Sequence, residues 1–286
     1  MDIQLDCLPC FVKQTLSVLR MVDADEAEKE RILRRVLEQL SHIDFAQSPP
    51  QLAQDIHAQI RQLADNPDPY AVHKRRDQEL ALRLYPPVEQ QVRDSEQPFY
   101  AAVQMAIAGN SLDHGVYHDL SEEQALALLE QGLVTPVQGD LAAFQREVER
   151  ARSILYLGDN AGEIVFDRLL LQQLPREKVT YVVRGGPIIN DAQLQDAREA
   201  GIDRLVATLM DNGDDSPGTV LSRCSAGFRE KFHNADLIIA KGQGNYETLS
   251  DEPGNIVFLL KAKCPVVATH IGCDLGASLL YRRSGR

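Results

Sequence analysis

In EAEKERILRRVLEQL, residues 26–40, apolar side chains return at Ile32, Leu33, Val36, Leu37 and Leu40 behind an acidic first turn. Spacing by three and four puts them on one face of an amphipathic helix, and early glutamates suit its N-terminal dipole. SPPQLAQDIHAQIRQLAD (48–65) repeats the pattern with Leu52, Ile56, Ile60 and Leu63 after a Ser-Pro start, which caps and pre-sets a first turn. SEEQALALLEQG (121–132) reads as another capped helix, and Pro86–Pro87 is expected to break the helical stretch between 70 and 108. No strand pattern stands out before about residue 150.

After 150 the rhythm changes. SILYLGD (153–159), VTYVVRG (179–185), DRLVATLMD (203–211), ADLIIAKG (235–242) and NIVFLLKAKCPVVATHIG (255–272) are apolar runs rich in Ile, Val and Leu. Helical stretches separate them: EIVFDRLLLQQL, DAQLQDAREAG and SPGTVLSRCSAGFREKFHN. Strands alternating with helices predict a mainly parallel sheet covered on both faces. The expected architecture is a three-layer α/β/α, doubly wound unit over 151–286 with an N-terminal helical domain over 1–150. With no low-complexity linker, the two are expected to share an interface, the helical part forming one wall of a pocket.

Composition narrows the partners. The chain has 286 residues, 44% apolar and 25% charged, with a formal charge of -12, as for a soluble globular protein. That charge disfavours nucleic acid and anionic membranes. No apolar run reaches the roughly 20 residues of a membrane span, and MDIQLDCLPC lacks a signal-peptide pattern, so the cytoplasm is the expected compartment. The oligomeric state has no signature. Five cysteines argue against a secreted disulfide framework; Cys7 and Cys10 form one CxxC, with Cys224, Cys264 and Cys273 scattered. One such pair falls short of the four ligands of structural zinc, and packing as small apolar residues is the simpler reading. His42, His57, His73 and His270 form no ligand pair.

In an open parallel sheet, ligands bind beyond the carboxyl ends of the strands. Four successive loops there, GDNAGE, RGGPIINDAQLQDA, MDNGDDSPGT and KGQGNYETLSDEPGN, all carry glycine beside Asp, Asn or Lys. Asp159 alone reads best as a helix cap, and Lys241 alone as a solvated strand end. Together the loops suggest a site for a hard cation, since carboxylate and amide oxygens suit Mg²⁺, Mn²⁺, Co²⁺ or Ni²⁺. Asp159 and Asn160 are candidates to grip one ion from the first loop, with Asp191 from the next. Lys241 would stand at the mouth as a fixed positive charge, and N–H groups near Ala161–Gly162 would face the same volume.

GDNAGEIVFD, RGGPIINDAQLQDA, DNGDDSPGT and AKGQGNYETLS, in that order behind a helical segment opening with CLPC, resemble the damage-control phosphatases (domain of unknown function eighty-nine), closest to their prokaryotic branch. The resemblance spans essentially the whole chain. It implies metal-dependent hydrolysis of phosphate from small metabolites, such as sugar phosphates or damaged phosphometabolites, on a mixed α/β/α core with a helical domain. Carried over by motif, the metal ligands fall on Asp159, Asn160 and Asp191, and the KG lysine on Lys241, assigned to substrate phosphate. AGNSLDHG resembles the GN-x-x-D segment and brings Asn110 and Asp113 towards the site; Glu163, Arg184 and Asn245 complete the substrate-binding candidates. DPYAVHKRRDQELA (68–81) matches a family segment without an assigned role. Water is the preferred nucleophile over a carboxylate, with Asp113 or Glu163 to orient it.

Two other functions are weighed. YLGDNAGE loosely resembles the glycine loop of S-adenosylmethionine methyltransferases, but the next strand ends in Arg184-Gly185-Gly186 instead of the acidic residue such sites use. A metal or redox interaction module centred on Cys7 and Cys10 is the third reading.

Overall fold

The computed structural model describes residues 1–112 and 122–282, with side chains 111 and 112 left aside. Three helices come first: α1 (Cys7–Leu19), α2 (Glu26–Leu40) and α3 (Pro49–Leu63). They meet around Phe11, Val18, Ile32, Val36, Leu52, Ile56 and Ile60 in a core of their own. Ser48 caps α3 in a capping box with Gln51, and prolines fill its first turn, as the sequence suggested.

Next come α4 (Ala71–Asp94), α5 (Pro98–Ala108), α6 (Glu122–Val134) and α7 (Leu141–Arg150). Helix α4 runs unbroken through Pro86 and Pro87, contrary to the expected interruption. Leu84, Tyr85, Val88 and Val92 are buried in the main core on both sides of the prolines, and this packing outweighs the lost N–H groups.

The sheet carries strands β1 (Val137–Gln138), β2 (Ile154–Leu157), β3 (Val179–Val183), β4 (Thr208–Asp211), β5 (Leu237–Lys241), β6 (Ile256–Lys261) and β7 (Ser278–Arg282). Their order is β1-β7-β6-β5-β2-β3-β4, parallel except between β6 and β7. Between strands lie α8 (Glu163–Leu171), α9 (Leu194–Glu199), α10 (Ala226–Asn234), α11 (Gly242–Leu249) and α12 (Pro265–Ile271). The apolar run 255–272, expected as one strand region, is β6 followed by α12; Cys264 accepts from Val267 N–H and Pro265 starts the helix. Strand β1, only two residues long, and β7 were not foreseen.

One face of the sheet packs on α4, α5 and α8 in a single core that takes in residues from Leu80 to Leu280. Val148 and Ala151, on either side of the point where the sequence changes rhythm, both belong to this core. The other face carries Phe228, Phe232, Tyr246 and Phe258. Chain order runs outward in opposite directions from the β2–β5 pair, so these strands flank the topological switch point, where open α/β sheets place their ligands.

Candidate active site

Strand β2 ends at Leu157, and Gly158-Asp159-Asn160-Ala161-Gly162 leads into α8. The N-cap is Gly162 at φ +80, with no side chain capping the helix. Asp159 is therefore released from the capping role that the sequence alone favoured. Nor is the helix start open to an anion: Ala161 N–H donates to Asn190 O at 2.8 Å and Gly162 N–H to Gln78 Oε1 at 3.0 Å. This corrects the expectation of free N–H groups there, and gives the 68–81 segment a task. Gln78 also donates to Asp196 O at 2.6 Å, tying α4 to the first loop and to α9.

The second loop lies alongside the first. Asn160 and Asp191 form an antiparallel bridge, and Ala192 N–H donates to Asp159 O at 2.8 Å. The three oxygen donors singled out in the sequence thus stand on two backbone-paired strips. Asn160 Nδ2 lies 3.2 Å from both Asp159 Oδ2 and Glu163 Oε2. From the helical side, Asn110 Nδ2 donates to Asp159 Oδ2 at 3.1 Å and Glu163 Oε2 at 2.5 Å. Asp113 lies outside the described residues.

Two cations serve this cluster. Arg184, at the end of β3, donates through Nε to Asp191 Oδ2 at 2.7 Å, and its Nη2 lies 3.6 Å from Asp159 Oδ1. Lys241 does not stand at the mouth: its ammonium is fully buried, 2.8 Å from Glu163 Oε1 and 2.5 Å from Asp167 Oδ1. Burial alone would depress the lysine; the Asp167 and Glu163 carboxylates outweigh that and hold its pKa above the usual value. Asp167, which sequence reasoning missed, also accepts from Tyr156 at 2.8 Å and Tyr181 at 2.7 Å. The available signal was spacing: Asp167 follows Glu163 by four in a helix whose one other polar residue is Arg168, and so shares its face. Asn245, expected to touch substrate, commits its amide to the protein. It donates to Lys241 O and Gly158 O and accepts from Thr219 and Arg184, which makes it a bracket beneath Arg184.

Four carboxylates, Asp159, Glu163, Asp167 and Asp191, and two cations, Arg184 and Lys241, are each less than a tenth exposed. Half-buried Lys263 adds a weaker favourable field at Asp159. These six groups sum to two negative charges, and the buried Asp77 carboxylate beside Gly162 adds to that excess. Desolvation, then the neighbouring Glu163 and Asp191 carboxylates, push the Asp159 carboxyl well above its usual range, with Arg184 only partly opposing. Asn110 Oδ1 is buried and makes no hydrogen bond among the described residues. Oxygen donors in a pocket short of positive charge fit a hard cation. Asp77, Gly109, Asn160, Ala161 and Glu163 line a small cleft beside them.

Cys7 and Cys10 open α1 outside this cluster, and burial raises both thiols, opposite to the shift of a reactive thiolate. Among the described residues, no three His, Cys, Asp or Glu side chains have the close mutual geometry of a preformed metal cage.

A doubly wound sheet with a buried carboxylate cluster near its switch point defines the chain as an α/β protein. The chain belongs to the damage-control phosphatase ARMT1-like domain family, whose model matches residues 3–279. It is 36% identical to a damage-control phosphatase of Archaeoglobus fulgidus, covering 94% of this chain and 95% of that one. It is 33% identical to the damage-control phosphatase PH1575 of Pyrococcus horikoshii, over 99% and 98% of the two chains. The crystal structure of that Pyrococcus protein, described as a DUF89 family member, superposes with a TM-score of 0.91 over 99% of this chain and 100% of that one. No helix among the described residues is long and apolar enough to cross a membrane.

Proposed function

We propose that the chain is a phosphatase acting on small phosphorylated metabolites, damaged or unwanted ones among them, with one divalent ion held by Asp159, Asn160 and Asp191. The single observation that carries this is the backbone pairing of the two loops, which puts those three side chains together in a buried, cation-deficient cluster. The names of the Archaeoglobus and Pyrococcus relatives support the phosphatase reading.

A bound Mg²⁺, Mn²⁺, Co²⁺ or Ni²⁺ ion would neutralise phosphoryl charge and polarise water. The chain's own groups do the positioning. Arg184 aligns Asp159 and Asp191, its Nε on Asp191 and its buried Nη2 facing Asp159. Asn110 holds Asp159 from the helical wall. Lys241 anchors Glu163 and supplies positive charge from below, two of its three N–H groups being engaged with Glu163 and Asp167. Catalysis in such a site is mostly positioning and electrostatics. The methyltransferase reading loses ground because Arg184, where an acidic residue would be needed, is committed to the carboxylates.

The test is a phosphatase screen over phosphorylated metabolites, run with each ion on wild type and Asp159→Ala. The substitution is expected to cost at least ~100-fold in turnover with the fold intact by circular dichroism. Full activity in the variant would overturn the assignment.

A further inference from the structure

Among the described residues, only two non-glycine residues have positive φ: Asp65 at 46° and Ile189 at 44°. Aspartate tolerates that region. A β-branched residue does not, because its Cβ crowds the following carbonyl, so the surroundings must hold it there. Ile189, half-buried, is also the one residue from beyond residue 70 among those that pack against the first helical core. It immediately precedes Asn190 and Asp191.

The same loop is fixed on both sides. Arg61 of α3 donates to Pro187 O at 2.7 Å and reaches Asp215 of the next loop at 2.5 Å, where Gln54 also bonds. Asp191 N–H donates to Ile188 O, and Arg184 N–H to Ala192 O, closing the loop on itself. Beyond Ile189, Asn190 O receives Ala161 N–H and Asp191 pairs with Asn160.

We propose that Ile189 is a positioning residue: its side chain, keyed into the α1–α3 core, forces the backbone turn that presents Asn190–Asp191 to Asp159–Asn160. The first three helices, which supply no side chain to the oxygen cluster, thereby set its geometry. This rests on the reading that Asp159, Asn160 and Asp191 hold the ion. Replacing Ile189 by glycine removes the key and also the strain, so the loop relaxes while the loss of packing is partly offset in the fold.

The test compares wild type, Ile189→Gly, Ile189→Ala and Ile189→Val in the full chain. Mn²⁺ affinity is followed by the electron paramagnetic resonance of the free ion, and amide exchange by mass spectrometry. Glycine and alanine are expected to weaken Mn²⁺ binding by roughly 10-fold or more, as loss of an outer support does, and to speed exchange at Ala161 and Ala192. Valine, which keeps the branched key, is expected to stay within about 2-fold of wild type on the same principle. Exchange within α1–α3 away from Ile189 should change little, separating misplacement of the loop from general destabilisation. Unchanged Mn²⁺ affinity and unchanged exchange at Ala161 and Ala192 in the glycine variant would overturn the proposal. Asp159→Asn and Asp191→Asn serve as controls. If both bind Mn²⁺ as wild type does, the ion site itself is wrong and the proposal falls with it; if they lose binding and Ile189→Gly changes neither affinity nor exchange, only the positioning role falls.

Discussion

Glu247 on α11 is 9% exposed, accepts from Gln243 at 2.9 Å, and lies away from the oxygen cluster. Burial lifts its carboxyl from 4.5 to about 7, with the Gln243 amide and the Met1 ammonium opposing only in part. A carboxyl raised by folding contributes stability that is fully present below its unfolded value and is lost as pH climbs through the folded one. At 1.36 kcal/mol per tenfold change in proton affinity, the span from 4.5 to about 7 corresponds to roughly 3 kcal/mol. Glu247→Gln keeps the shape and the acceptor for Gln243 but cannot ionise. Urea unfolding from pH 4.5 to 8.5 should therefore show the variant gaining on wild type by ~3 kcal/mol, most steeply between pH 5 and 7. His57, buried and depressed from 6.5 to about 4, loses stability in the other direction, as pH falls. It is common to both chains and cancels in the difference. Parallel stability curves would refute the reasoning, because they would mean that water reaches the ionised carboxylate without penalty.

Lys241→Met leaves Asp167 and Glu163 buried without their cation and should cost about 3–5 kcal/mol at pH 7 in the same assay. The deficit should shrink as pH falls and the carboxyls take up protons; a loss below ~1 kcal/mol would contradict the buried cluster. Gly242 has φ +77, and a Cβ there would overlap the Asp159 carboxylate. Gly242→Ala should thus cut metal-dependent phosphatase turnover by ~100-fold or more through displacement of Asp159, and wild-type kcat would refute it.

The alternation of apolar runs and helices carried the doubly wound sheet, because period and run length are local properties of the chain. The same rule located four loops on one sheet edge, and family motifs named Asp159, Asn160 and Asp191 within them. What escaped was decided by distant packing. Tyr156 and Tyr181 read as strand residues, yet their hydroxyls hold Asp167. Lys241 ends an apolar run, and nothing local says whether the next turn leaves it in water or, as here, on two carboxylates. Pro86 and Pro87 obey a rule of isolated helices that the main core overrides. The N–H groups of Ala161 and Gly162 looked available until Asn190 and Gln78, from other segments, took them. Ile189 resembles any loop isoleucine until its φ and its neighbours are known.

Strand β1 touches the sheet only through β7, Val137 standing opposite Ser278. Its partner is thus synthesised almost half a chain later, and loop closure over that distance must precede any reward from pairing. The margin of the sheet is consequently a seam between chain segments far apart in sequence. A lesion near residue 280 would then be felt at residue 137, since Leu280 lies in the main core and Val137 packs against it.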